Sequence, residues 1–138
     1  MKKISRRKKT SVSVIMIILL VMGVALDAWA YKRISSRKNS VSVDVVPVQL
    51  AFGQQVKFDV RMNTHSVELS QDMVAVSLLK DSNGQEYRPE NWKGSPPSGH
   101  HRSGTLEFSA IKGNPSSVTL IIRNIANVPE RVFTWKVK

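Results

Sequence analysis

Val56-Lys57-Phe58-Asp59-Val60-Arg61-Met62 alternates apolar and charged side chains without a break. Successive side chains of a strand point to opposite faces, so this pattern predicts a strand with one face in a core and one in water. The signal spreads outward from there. Upstream, Val41, Val43 and Val45, then Val48 and Leu50, read as another strand, with Pro47 placing it at an edge or a bulge. Downstream, Met73-Val-Ala-Val-Ser-Leu-Leu-Lys80 is apolar on both faces and reads as a central strand. Asp81-Ser-Asn-Gly84 is a turn, because Asn-Gly readily takes positive φ, and Glu86-Tyr-Arg88 runs back from it. Residues 105–109, 118–123 and 131–137 supply three more strands, and only one of Phe133 and Trp135 is expected to take full core burial.

About seven strands between turn signals, with no helical period after residue 31, predict an all-β fold. Each strand needs a facing layer for its apolar side. The expected packing is an immunoglobulin-like antiparallel sandwich over residues 41–138, preceded by one N-terminal apolar helix.

That helix is expected from Lys2, Lys3, Arg6, Arg7, Lys8 and Lys9, followed by an unbroken apolar run from Val14 to Leu26. Such a run prefers lipid while the basic block stays on the cytoplasmic side, so the remainder faces outward. Residues 1–31 therefore read as a signal peptide or a signal-anchor transmembrane segment. As an anchor it spans residues 12–31, with Trp29 and Tyr31 at the interface. The alternative is secretion after cleavage near Ala30, because Ala28-Trp-Ala30 fits the small-x-small rule. Lys32, Arg33, Arg37 and Lys38 lie just beyond that site and favour the uncleaved anchor at the cell membrane, single-pass, with the C-terminal domain outside. Residues 32–40 read as a basic, flexible tether.

Charge excludes one function class. The chain carries +11, but residues 1–38 hold ten Lys/Arg against one Asp, while residues 39–138 hold eleven against nine Asp/Glu. The domain itself is nearly balanced and has no composition for a phosphate-backbone face, so no nucleic acid is expected as a partner. The absence of cysteine removes disulfides, thiolate metal sites and a Cys nucleophile. No Gly-x-Ser-x-Gly elbow, paired carboxylates or Gly-rich phosphate loop is present, so an enzyme is not expected.

Residues 89–104 carry three prolines and three glycines and read as a long loop. Long loops in small domains usually have a task. This one contains His100 and His101, and the third histidine, His65, stands where a strand ends. Loops at one end of a sandwich cluster, so these positions can meet in space. Imidazole is the commonest ligand of copper and zinc, and without cysteine a His/carboxylate set is the available metal site. The candidate ligands are His65, His100, His101 and Asp72, with Glu68 as another oxygen donor. Adjacent residues of an extended segment point to opposite sides, however, which works against His100 and His101 sharing one ion. The competing reading is a structural polar network holding the loop in shape. Trp92 reads as a plug on the sandwich, and Arg102 as an anion contact, a partner of Glu68 or a solvated charge.

Met62-Asn-Thr-His-Ser-Val-Glu-Leu69, Asp72, and Trp92-Lys-Gly-Ser-Pro-Pro-Ser-Gly-His-His-Arg-Ser-Gly-Thr-Leu-Glu-Phe108 together resemble an uncharacterised family of exported β-sandwich domains. Those domains share a Thr-His-Ser segment and a Trp-x-Gly…Gly-His-His-Arg-x-Gly-x-Leu-x-Phe segment. The resemblance covers about residues 55–137 and groups His65, Asp72, His100 and His101 without assigning them a role; Ser98 replaces an expected glycine. Two functions follow as expectations: a membrane-tethered domain binding copper or zinc, or a cell-envelope module that contacts a protein partner through the same loops.

Overall fold

The computed structural model describes residues 30–138. The expected apolar helix, its role as anchor or signal peptide, and most of the cleavage motif lie outside the described residues. No helix among the described residues is long and apolar enough to cross a membrane.

The described chain is an all-β sandwich of two antiparallel sheets. Its strands are β1 Ile34–Lys38, β2 Val41–Gln49, β3 Val56–Thr64, β4 Ser77–Asp81, β5 Glu86–Tyr87, β6 Asn91–Gly94, β7 His101–Phe108, β8 Ser117–Ile125 and β9 Val128–Lys136. One sheet has the order β1-β2-β3-β7-β6 and the other β5-β4-β8-β9. The alternation read from sequence sets the core. Val43, Val45, Phe58, Val60 and Met62 are fully buried from one side, Leu120, Ile122 and Phe133 from the other. Phe58 joins the layers, its ring 5.3 Å from that of Trp135 and 5.9 Å from that of Phe108.

Nine strands among the described residues replace the seven expected; β1 and β6 are the additions, and a third local difference shortens an expected strand. The segment read as a basic tether contains β1, which pairs with β2 from Ile34↔Val45 to Lys38↔Val41. Asn39 and Ser40 take positive φ to turn the chain between them. The hairpin is held from a distance: buried Arg131 on β9 donates to the carbonyls of Ser36, Lys38, Val41 and Ile125. Next, half of the stretch 89–104 read as a long loop is strand, the facing ends of β6 and β7, with residues 89–90 and 95–100 outside the strands. Finally, Met73–Val76 is one turn of helix, α1, capped by Asp72, whose carboxylate accepts from the amides of Val74 and Ala75. An apolar run of four residues suits either period, and the cap decides it.

Phe133 and Trp135 are both buried and stack with centroids 6.4 Å apart, contrary to the expectation that only one would be. Positions two apart on a strand share a face. Pro47 falls where β2 has lost β1 as a neighbour, beside a register shift between Pro47 and Gln49. Its missing N–H is tolerated there.

These connections define two poles. The β1–β2 turn, residues 65–72, residues 95–100 and the β8–β9 turn form the upper pole. The lower pole holds the β2–β3 turn and the place where the described chain begins. There the Tyr31 hydroxyl donates to Leu50 O (2.9 Å) and accepts from Lys138 N, and Trp135 Nε1 donates to Lys32 O. The nine residues of β2 separate the poles by roughly 27 Å.

Candidate functional site

The upper pole is laced together by backbone. Thr64 N donates to His100 O (3.0 Å) and Leu69 N to Gly99 O (2.9 Å), joining the strand-end segment to the proline-rich one. Thr64 Oγ1 accepts from the amides of Ser66 and Val67, closing the turn that carries His65. Asn39 Nδ2 donates to Ala126 O and Gln71 Nε2 to Asn124 O, tying in the other two connections.

His65 and His101 meet at this pole. Their ring centroids are 6.5 Å apart at 81°, and both side chains are exposed. β3 and β7 place Asn63 opposite His101, and His101 Nδ1 lies 2.9 Å from Asn63 Oδ1. With that oxygen accepting, Nδ1 holds the proton and Nε2 is the atom left for a ligand. His100 is also exposed, and its contribution to the pole is the carbonyl that Thr64 uses. Asp72 is engaged as the cap of α1. Among the described residues no group of three or more His, Cys, Asp or Glu side chains is arranged to hold a metal ion.

Distance sets what the pair can do. Two imidazoles on one zinc or copper ion, each nitrogen about 2.0 Å away, have centroids about 5 Å apart at a tetrahedral angle and about 6.3 Å apart when opposed. The observed 6.5 Å is about 0.2 Å beyond the opposed limit and about 1.5 Å beyond the tetrahedral one, so tetrahedral ligation requires one exposed side chain to move by about 1.5 Å.

Arg102 fits none of the three sequence readings. It is buried, donating through Nη1 to the carbonyls of Leu69 and Gln71 and through Nη2 to that of Ser95. Its guanidinium carbon lies 5.8 Å from the Trp92 ring centroid, within cation–π range. Burial pushes its pKa down, and the nearby Asp72 charge opposes that shift. Trp92 is part-buried against the core and donates Nε1 to Ser95 O. Its ring covers a backbone approach so close that a Cβ on Gly104 would stand 2.7 Å from Gly94 Cα and from Trp92 Cζ2. Much of the Trp-x-Gly…His-His-Arg-x-Gly motif thus builds the hairpin that carries His101.

The outer face of the five-stranded sheet adds neighbours of His101 that sequence reasoning missed. Arg37, Ser42 and Asn63 are its register partners across β1, β2 and β3, and Asp44, Arg61 and Ser103 form the adjacent row. A cleft of about 390 Å³ at this pole is lined by Arg37, Lys38, Asn39, Ser42, Asn63 and His65 among others, none of them acidic. Parity relative to Val43 and Met62 marks these positions as outward. Reading β1 as tether hid half of them.

The chain matches no family model, no curated protein and no solved structure.

Proposed function

We propose that this chain is a membrane-tethered extracytoplasmic interaction module, with no enzymatic activity, that uses its upper pole to bind an acidic segment of a cell-envelope protein. The observation that carries this reading is the cleft beside His65, where Arg37 and Lys38 stand among amides and hydroxyls with no carboxylate in the lining. Exposed basic groups of this kind steer an acidic partner and set specificity more than affinity. Tethering rests on the basic block and apolar run before residue 27, with cleavage near Ala30 and secretion as the alternative. The strand orders support an immunoglobulin-like topology: β2-β3-β7-β6 corresponds to A-B-E-D and β5-β4-β8-β9 to C′-C-F-G, with β1 added at an edge. In that correspondence the upper pole is the end bearing the B–C and F–G loops, the end antibodies use for recognition. The resemblance to exported Thr-His-Ser domains belongs to the same proposal.

The test is titration of the full chain in nanodiscs with a Glu-rich peptide. Binding in the micromolar range that weakens with salt and falls at least about tenfold in Arg37→Glu supports the module. Equal binding of a Lys-rich peptide contradicts it.

The edge-to-face pair His65–His101 supports a second reading, copper or zinc held by His65 and His101 with open positions filled by water or a partner's donor. His100, with its ring exposed, remains a candidate metal ligand, whereas Asp72 remains one only by giving up its cap, since its carboxylate already accepts from the amides of Val74 and Ala75. Binding of Cu(II) or Zn(II) tighter than about 10 μM, lost in His65→Ala and in His101→Ala, would establish it.

A further inference from the structure

We infer that the lower pole of the sandwich rests on the membrane itself, docking on an anionic lipid surface through Phe52, Lys32 and Arg33. The inference depends on the tethering reading above and adds a second contact to it, made by the folded domain.

The length of chain outside the sandwich comes first. The apolar run ends at Leu26, and from Tyr31 the chain is fastened to Leu50, Trp135 and Lys138 by hydrogen bonds. Five residue steps separate Leu26 from Tyr31 and reach at most about 17 Å. The headgroup layer outside the hydrocarbon is itself about 5–8 Å thick. A domain leashed this closely keeps its lower pole within about a Debye length of the surface.

What that pole presents is chemically suited to the place. Phe52 sits in the β2–β3 turn and is 40% exposed, and Val48, where β2 approaches the turn, is 53% exposed. Gly53 at φ +73 makes this turn tight and holds it out at the end of the sheet. Lys32 and Arg33 are exposed where the chain enters β1 on the same half of the domain, and Lys138 lies over the Tyr31 ring at 5.4 Å. An exposed apolar turn with basic side chains on the same half of the domain is the composition that binds an interface carrying negative headgroups. The carboxylates toward this end are largely engaged. Glu107 is held by Lys57 and Lys93, Glu86 by Lys80, and Asp81 by Tyr87 and the turn amides, with Glu90 the exposed remainder. The same placement turns the His65–His101 pole away from the bilayer, toward partners.

The chain has no cysteine, so Gln54→Cys, exposed in the same turn, creates a unique labelling site that leaves Phe52 in place. A nitroxide there, on the full chain in nanodiscs of phosphatidylcholine with phosphatidylglycerol, is compared with one at Asn39→Cys on the upper pole. The expected result is a label at 54 that collides with oxygen more than with a water-soluble nickel chelate, and a label at 39 that does the reverse. Neutralising Lys32 and Arg33 to Gln should lower the docked-to-free ratio about fivefold per residue. A label at 54 as aqueous as that at 39, or equally immersed over pure phosphatidylcholine, overturns the inference. Alkaline carbonate extraction from liposomes of the same lipids separates the two readings: a chain that washes off has lost the tether, whereas a retained chain with an aqueous label at 54 has lost only the docking.

Discussion

Arg102 and Arg131 are buried cations, each donating to several backbone carbonyls. Arg131 shares strand parity with Phe133 and Trp135, and Arg102 with Leu106 and Phe108, so the alternation pattern did mark both as inward. What no local pattern shows is the ring of carbonyls that satisfies each one, because those carbonyls lie 31–33 residues away for Leu69 and Gln71, and 90–95 away for Ser36, Lys38 and Val41. Removing the Arg131 guanidinium strands several buried acceptors, so Arg131→Met should destabilise the fold by about 3 kcal/mol, read as a fall in urea midpoint at unchanged m-value. Glu107 gives a pH dependence. Burial pushes its carboxyl up, but hydrogen bonds and charge from Lys93 and Lys57 outweigh that, and the pKa is lowered overall. A carboxylate with a depressed folded pKa contributes stability above its unfolded value, near 4.3, and loses it as pH falls through the folded pKa. Wild type should therefore lose more stability than Glu107→Gln between neutrality and about pH 3, followed by thermal melts across that range.

At the scale of elements, the strands with unbroken alternation were legible and the short or polar ones were not. β3 was plain from Val56, Phe58, Val60 and Met62. β1 has one apolar residue, Ile34, among Ser, Arg and Lys, and owes its place to β2 and Arg131 rather than to any pattern of its own. Met73–Val76 misled because a cap, not periodicity, makes it helical; Asp72→Ala should cost about 1 kcal/mol in thermal stability and leave metal binding unchanged. The β6–β7 hairpin was concealed by its own glycines, which allow the close backbone contact under Trp92. Gly104→Ala forces backbone apart and should destabilise by roughly 1–3 kcal/mol, with the Trp92 emission shifting red as its ring is lifted toward water.

Across the whole molecule, the sandwich and the meeting of His65 with His101 were readable because loops between successive strands of a sandwich gather at its ends. The cationic cleft was not, since it is assembled by register across β1, β2 and β3 from positions 37 to 65. Polarity of the molecule follows from the same topology: the chain joins the sandwich at Tyr31 below, and the cleft residues stand at the far end of β2. The central claim is that the far end binds an acidic partner. Amide chemical-shift mapping of the full chain in nanodiscs, titrated with a Glu-rich peptide, tests it most directly. The account predicts shifts confined to residues 37–42, 61–66 and 100–103, abolished in Arg37→Glu; shifts spread over the surface, or centred on the Phe52 pole, would contradict it.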